Sequence, residues 1–206
     1  MSADFLAFIR VVLSADPTEV SRRLSANPEL AAVSADVGAT RGGSGDFFFE
    51  DIAHYVYQGD TALHLAAAAF RRPVAELLIT AGADVRARNR RGAEPLHYAA
   101  DANHWEPESQ ADTVAFLISA GADPNAFDKS GVAPLHRAVR TRSLAAVRAL
   151  LDGGANPLLT NRSGSTPMDL ARRTTGRGGS GSLRAREQQA GIVKLLTERS
   201  GHEPLR

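Results

Sequence analysis

Residues 59–89, GDTALHLAAAAFRRPVAELLITAGADVRARN, hold a pattern that returns twice more along the chain and a fourth time in altered form. Thr61 supplies a hydroxyl suited to cap a short helix, Leu63, Ala66 and Ala67 face inward, and His64 stands where a ring nitrogen can bond neighbouring backbone. A second helix follows, with Val74, Leu77, Leu78 and Ile79 at the i, i+3, i+4 spacing that buries one stripe. Gly82 closes that helix in the left-handed conformation, where a side chain with a Cβ is strained.

The spacing carries the argument outward. Anchoring glycines recur at Gly59, Gly92, Gly131 and Gly164, at intervals of 33, 39 and 33 residues, so the second unit holds a six-residue insertion. Helix-closing glycines at Gly82, Gly121 and Gly154 each precede the next anchor by ten residues. Between them recur Thr61-Ala62-Leu63-His64, Glu94-Pro95-Leu96-His97, Ala133-Pro134-Leu135-His136 and Thr166-Pro167-Met168-Asp169. This motif resembles the T-P-L-H of ankyrin repeats, with proline at the first helical position and the 33-residue period of that family. The resemblance implies an all-α, ankyrin-repeat solenoid of stacked helix-turn-helix units with finger loops. One domain is expected over 1–206: an N-terminal capping unit at 1–30, an insertion loop at 31–58, repeats at 59–91, 92–130 and 131–163, and a C-terminal capping repeat with its tail at 164–206.

The two ends depart from the motif. Asp4 to Ser25 reads as a worn unit, with Phe5, Leu6, Ile9, Val12 and Leu13 as one helical stripe and Val20 and Leu24 inward on a second helix. In the second unit the first helix is expected over Pro95 to Ala102, with Val114, Phe116, Leu117 and Ile118 inward on the second. In the fourth unit Met168 and Asp169 replace the leucine and histidine, which fits a cap with no further unit to bridge to. Its last helix is expected from about Leu183 to Glu198.

Composition excludes several chemistries. The chain has no cysteine, so disulfides, thiol catalysis and cysteine-ligated zinc are ruled out, and a cytoplasmic location is expected. No apolar run reaches the roughly 18 to 20 residues that span a bilayer. Asp4 stands where a signal peptide carries positive charge, so the first residues read as a helix of the fold. The net charge is +1, which argues against a surface that coats polyanions. Yet 22 of the 24 basic residues are arginine, so the basic surface offers planar, bidentate contacts to carboxylates.

The irregular stretches leave alternatives open. Phe47-Phe48-Phe49 either seal the first repeat or present a hydrophobic anchor to a partner. Trp105, in the insertion of the second unit, either packs on its own repeat or is a binding hot spot. Arg-Gly-Gly-Ser-Gly occurs at Arg41 to Gly45 and at Arg177 to Gly181, where backbone N–H groups beside an arginine could meet an anion. His64, His97 and His136 recur once per unit and read as structural; His54 and His104 lack a metal-ligand spacing. Neither a G-x-S-x-G elbow nor a P-loop is present, so no enzyme, metal or cofactor is expected.

A recognition surface remains. If the resemblance holds, fingers and first helices line one concave side. Its variable positions are Tyr55, Tyr57, Asp60, Leu65, Arg88, Arg90, Arg91, Tyr98, Phe127, Lys129, Arg137, Arg140 and Arg162, with Trp105 beside them. Arginine with aromatics is what protein hot spots favour, so a monomeric module binding an acidic protein segment is expected. The competing readings are nucleic-acid or other anion binding through the four arginines of Arg86 to Arg91 and the glycine-rich loops, and a small-ligand or enzyme site built from the insertions.

Overall fold

The structure, a computed structural model, describes residues 3–14, 16–40, 45–101, 106–173 and 182–201. Helices α1 (Ala3–Leu13) and α2 (Pro17–Ala26) are followed by a short hairpin, β1 (Phe48–Phe49) and β2 (His54–Tyr55). Four helix pairs come next: α3 (Ala62–Ala68) with α4 (Arg72–Thr80), α5 (Pro95–Ala99) with α6 (Pro107–Ser119), α7 (Pro134–Arg140) with α8 (Leu144–Asp152), and α9 (Pro167–Arg172) with α10 (Leu183–Ser200). First helices stack on first helices, α1 on α3 on α5 on α7 on α9, and second helices on second, α2 on α4 on α6 on α8 on α10. The all-α solenoid expected from the repeat is what the chain forms.

Each pair buries its stripe between neighbours. In α1 the buried residues are Phe5, Phe8, Ile9, Val12 and Leu13; Leu6, expected inward, is half-buried, and Phe8 takes its place at the i+3 step from Phe5. The start of α2 is fixed by Asp16, whose carboxylate accepts from the N–H groups of Thr18 (3.0 Å) and Glu19 (3.3 Å), with Pro17 in the first turn. Part of the insertion of the second unit lengthens α6 to 13 residues against nine in α4 and α8. Helix α5 ends at Ala99 rather than reaching Ala102, with Ala100 as its C-cap, and the Asp101 carboxylate that follows is buried. Gln110, in the added part of α6, then ties three elements together. It donates to the carbonyl of Ala99 (2.8 Å) and accepts from the Ser143 hydroxyl (2.6 Å) at the start of α8.

The histidines join the units. The backbone N–H of Thr61 donates to Nδ1 of His64 (3.1 Å), that of Glu94 to His97 (3.1 Å) and that of Ala133 to His136 (3.2 Å). Nδ1 is therefore the acceptor and the proton sits on Nε2. Nε2 donates forward to a carbonyl of the following unit: Ala93 (3.1 Å), Val132 (3.1 Å) and Ser165 (3.2 Å) in turn. The Thr61 hydroxyl, expected to cap α3 directly, lies on the same ring nitrogen at 3.0 Å. Asp169 keeps the local half of this arrangement, accepting from the Thr166 N–H (2.9 Å) and hydroxyl (2.7 Å), and as a carboxylate it has no proton to pass forward.

The fingers are tight hairpins held by Asn or Asp. Asn89 accepts from the N–H groups of Arg91 (2.9 Å) and Ala93 (3.1 Å), Asp128 from Ser130 (2.8 Å) and Val132 (3.0 Å), and Asn161 from Ser163 (2.9 Å) and Ser165 (3.1 Å). The anchor three residues after each must be left-handed, and Gly92, Gly131 and Gly164 stand at φ 72°, 68° and 74°. Adjacent fingers touch. A Cβ on Gly59 would lie 2.9 Å from the Cα of Asn89, and one on Gly131 would lie 2.8 Å from the amide nitrogen of Arg162. Ala35 ties the insertion to the first unit by backbone bonds, its N–H donating to Asp60 (2.8 Å) and its carbonyl accepting from the Gly59 N–H (2.7 Å), and Ala39 N–H to Val56 (2.8 Å) joins the two described arms of the insertion.

Gly131→Ala should lower unfolding free energy by about 1–3 kcal/mol for the left-handed backbone, and by more for the clash with Arg162. Gly164→Ala, with nothing within 4 Å of the added methyl, should show the backbone part alone; urea denaturation of both separates the two contributions. The histidines set a pH dependence. Burial holds the pKa of His64, His97 and His136 below the ordinary value, that of His97 at about 3. In the unfolded chain they protonate near 6.5, so stability should be fully present above about pH 6.5 and fall as pH drops toward 3. His97 alone should account for about 1.6 kcal/mol between pH 6.5 and 5. Urea midpoints across that window check it, and His97→Gln should flatten the slope.

Candidate binding surface

The positions expected to face a ligand divide into two sets. Leu65, Asp60 and Tyr98 are 0–1% exposed and Arg137 is 8% exposed, so these four are interior residues and a correction to the expected surface. Tyr55, Arg88, Arg90, Arg91, Phe127, Lys129, Arg140 and Arg162 are exposed, and Tyr57 is half-buried. Trp105, Arg41 and Arg177 lie outside the described residues, as do the rest of the two Arg-Gly-Gly-Ser-Gly runs apart from Gly45.

Tyr98, and Asp60 bonded to it, lie beneath the insertion before the first repeat. The hairpin of β1 and β2 sets the His54 ring on the Tyr98 ring, centroids 4.4 Å apart. Burial lowers the His54 pKa, and Nδ1 lies 2.7 Å from the Tyr55 carbonyl. Beneath it Tyr98 donates its hydroxyl to the Asp60 carboxylate (2.8 Å) and accepts from the Asn89 side-chain amide (2.9 Å). Asn89 also donates to Asp60 (2.8 Å), as does the Tyr57 N–H (2.7 Å). Burial first, and then the neighbouring Asp60 charge, push the Tyr98 pKa well up, so it is a neutral donor. The buried Asp60 carboxylate thus takes three donors from its own fold.

One slot further, Arg137 lies between two carboxylates of the unit before it, Asp101 beyond its first helix and Asp128 in its closing finger. It donates to Asp101 at 2.9 Å and to Asp128 at 3.0 Å, and Arg140 adds a contact to Asp101 at 3.3 Å. Burial would raise the pKa of Asp128, yet the Val132 and Ser130 N–H groups and Arg137 hold it low. The sequence signal for this interior role was available in retrospect: an acid at Asp128, where the neighbouring fingers carry Asn89 and Asn161, marks the one finger facing a buried arginine.

The exposed set sits on the finger tips. Tyr57 is flanked by the guanidinium groups of Arg91, 4.8 Å from its centroid, and Arg90, 5.7 Å. Phe48 stacks on Tyr55 with centroids 4.8 Å apart, both part-exposed, while Phe49 packs on the core. The phenylalanine run thus divides between the two readings left open for it. Arg88 is a strut between fingers: it donates to the carbonyls of Gly92 (3.0 Å) and Phe127. Arg86 pairs with Asp123 (3.3 Å) and stands 3.7 Å from the buried Glu94. The run of four arginines is therefore not a free basic patch. Arg91, Lys129 and Arg162 form no ion pair or side-chain hydrogen bond among the described residues.

The three bridging histidines have both ring nitrogens engaged, which leaves no lone pair for a metal. Among the described residues no group of three histidines or carboxylates could hold one, and no helix is long and apolar enough to cross a membrane. Arg137→Met should destabilise by roughly 3–5 kcal/mol in urea denaturation, because it strands Asp101 and Asp128 without their cation. Adding Asp101→Asn should recover part of the loss.

A family model described as ankyrin repeats in three copies matches residues 42–128, and a second, ankyrin repeats in many copies, matches residues 117–171. No curated protein matches the chain. With histidine bridges joining the successive units and these matches running over residues 42–171, more than half of its length, the chain belongs to the ankyrin repeat family.

Proposed function

We propose that the chain is an interaction module that holds an acidic segment of another protein across its finger tips. Ankyrin repeats are generally protein–protein interaction modules and are typically non-enzymatic. The acidic preference rests on one observation. The described finger tips, residues 88–92, 127–131 and 160–164, carry Arg88, Arg90, Arg91, Lys129 and Arg162 against a single carboxylate, Asp128, which is turned inward to Arg137. A nearly neutral chain therefore carries a cationic strip along one edge, with Phe48, Tyr55, Tyr57 and Phe127 as apolar contacts beside it. Such a strip sets orientation and on-rate by charge, and takes its affinity from the aromatics.

Charge reversal at Arg91, Lys129 and Arg162 should abolish capture of acidic peptides while the helical circular dichroism signal stays unchanged. Arg88→Glu is unsuitable as a surface probe, since it removes a strut between fingers. Binding that survives the triple reversal, or that is indifferent to salt, rejects the assigned surface.

A further inference from the structure

The exposed cations are in register. Arg90, Lys129 and Arg162 each follow the residue that closes the finger turn, Asn89, Asp128 and Asn161, by one position, so they recur at intervals of 39 and 33 residues, the same as Gly92, Gly131 and Gly164. In the first finger the same rung is Tyr57, 33 residues before Arg90. All three cations are exposed. Arg90 gives one N–H to the Ala39 carbonyl and keeps its others, and the stem of Lys129 lies over Gly92.

The spacing of these rungs follows from backbone bonds. Within a finger, Asn89 N–H donates to Ala93 (3.1 Å) and Asp128 N–H to Val132 (3.0 Å). Between fingers, Arg90 N–H donates to Gln58 (2.8 Å) and Lys129 N–H to Arg91 (2.9 Å). At a strand-like spacing of about 4.8 Å for each bonded step, the two steps from Arg90 to Lys129 put those cations about 9.5 Å apart, and the close approach of the Arg162 amide to Gly131 continues a spacing of the same order to the next finger. A β-strand shows one face every second residue, at about 6.7 Å or 13 Å, and misses that period by 3 Å or more. A helix reaches about 10.5 Å at the seventh residue, and falls about 2 Å out over two intervals. A polyproline-II chain has three residues per turn and advances about 9.3 Å, with every third side chain on one face.

We propose that the acidic partner segment lies across the fingers in an extended, polyproline-II-like conformation, with a carboxylate at every third residue meeting Arg90, Lys129 and Arg162 in turn. The proposal rests on the acidic-segment reading above and adds the register and conformation of that segment.

Two proline-rich synthetic peptides of one composition and one alanine-rich helical peptide of the same net charge test it. One carries three glutamates at every third position, a second carries them contiguously, and a third is a helical peptide with glutamates at every seventh position. At low salt the first should bind about fivefold to tenfold tighter than either of the others, the size expected of two further exposed ion pairs. Lys129→Glu, at an exposed side chain with no bonded partner among the described residues, should remove that preference. Replacing the central glutamate of the first peptide by lysine should restore it for Lys129→Glu alone. Equal binding of the first two peptides overturns the register while leaving the acidic partner in place. Tighter binding of the helical peptide overturns the extended conformation, and no binding of any peptide overturns the acidic-segment reading as well.

Discussion

A single imidazole does two jobs in each unit, and the array stands on the pair. Nδ1 takes the backbone N–H at the start of its own first helix, which leaves the only ring proton on Nε2, pointing to a carbonyl of the next unit. Capping a helix and joining it to its neighbour are thus one chemical event. The bond requires a neutral ring, and burial keeps it neutral. Where the residue is Asp169, the cap survives and the forward link does not, because a carboxylate accepts only.

The fingers obey a second constraint, close approach. Glycine is required at the anchors by the left-handed backbone, and at Gly59 and Gly131 also by the next finger lying within van der Waals distance. Arg88 spans two fingers through their carbonyls. A finger strip braced in this way is a preformed surface, so a ligand laid on it meets little ordering cost from the protein.

Most of the fold was legible because it repeats. A spacing of glycines that recurs along the chain fixes where turns fall, and the Leu-His motif fixes which helix faces inward. The binding surface was less legible. Tyr98 and Arg137 occupy a slot expected to face outward, but the β1–β2 hairpin covers Tyr98 through His54 and two carboxylates enclose Arg137, and a cover that comes from an irregular segment has no periodicity to read. Asp60 looked exposed for the same reason, and its three donors are spread over Tyr57, Asn89 and Tyr98. Phe8 in place of Leu6 is a smaller miss, a choice between two apolar residues two positions apart on one helix.

The interior charges have a consequence for how such a protein can change. Arg137 answers to Asp101 in the unit before it and to Asp128 in the finger leading into its own, and Tyr98 answers to Asp60 one unit back. The seam between the first and second repeats and the seam between the second and third thus each carry their own lock. Units of a uniform array can be duplicated, dropped or exchanged with little penalty, whereas here any reshuffling leaves a lone ion or hydroxyl without its complement. Lengthening or shortening this protein therefore demands paired substitutions on both sides of a joint, and its order of units is written into its polar interior.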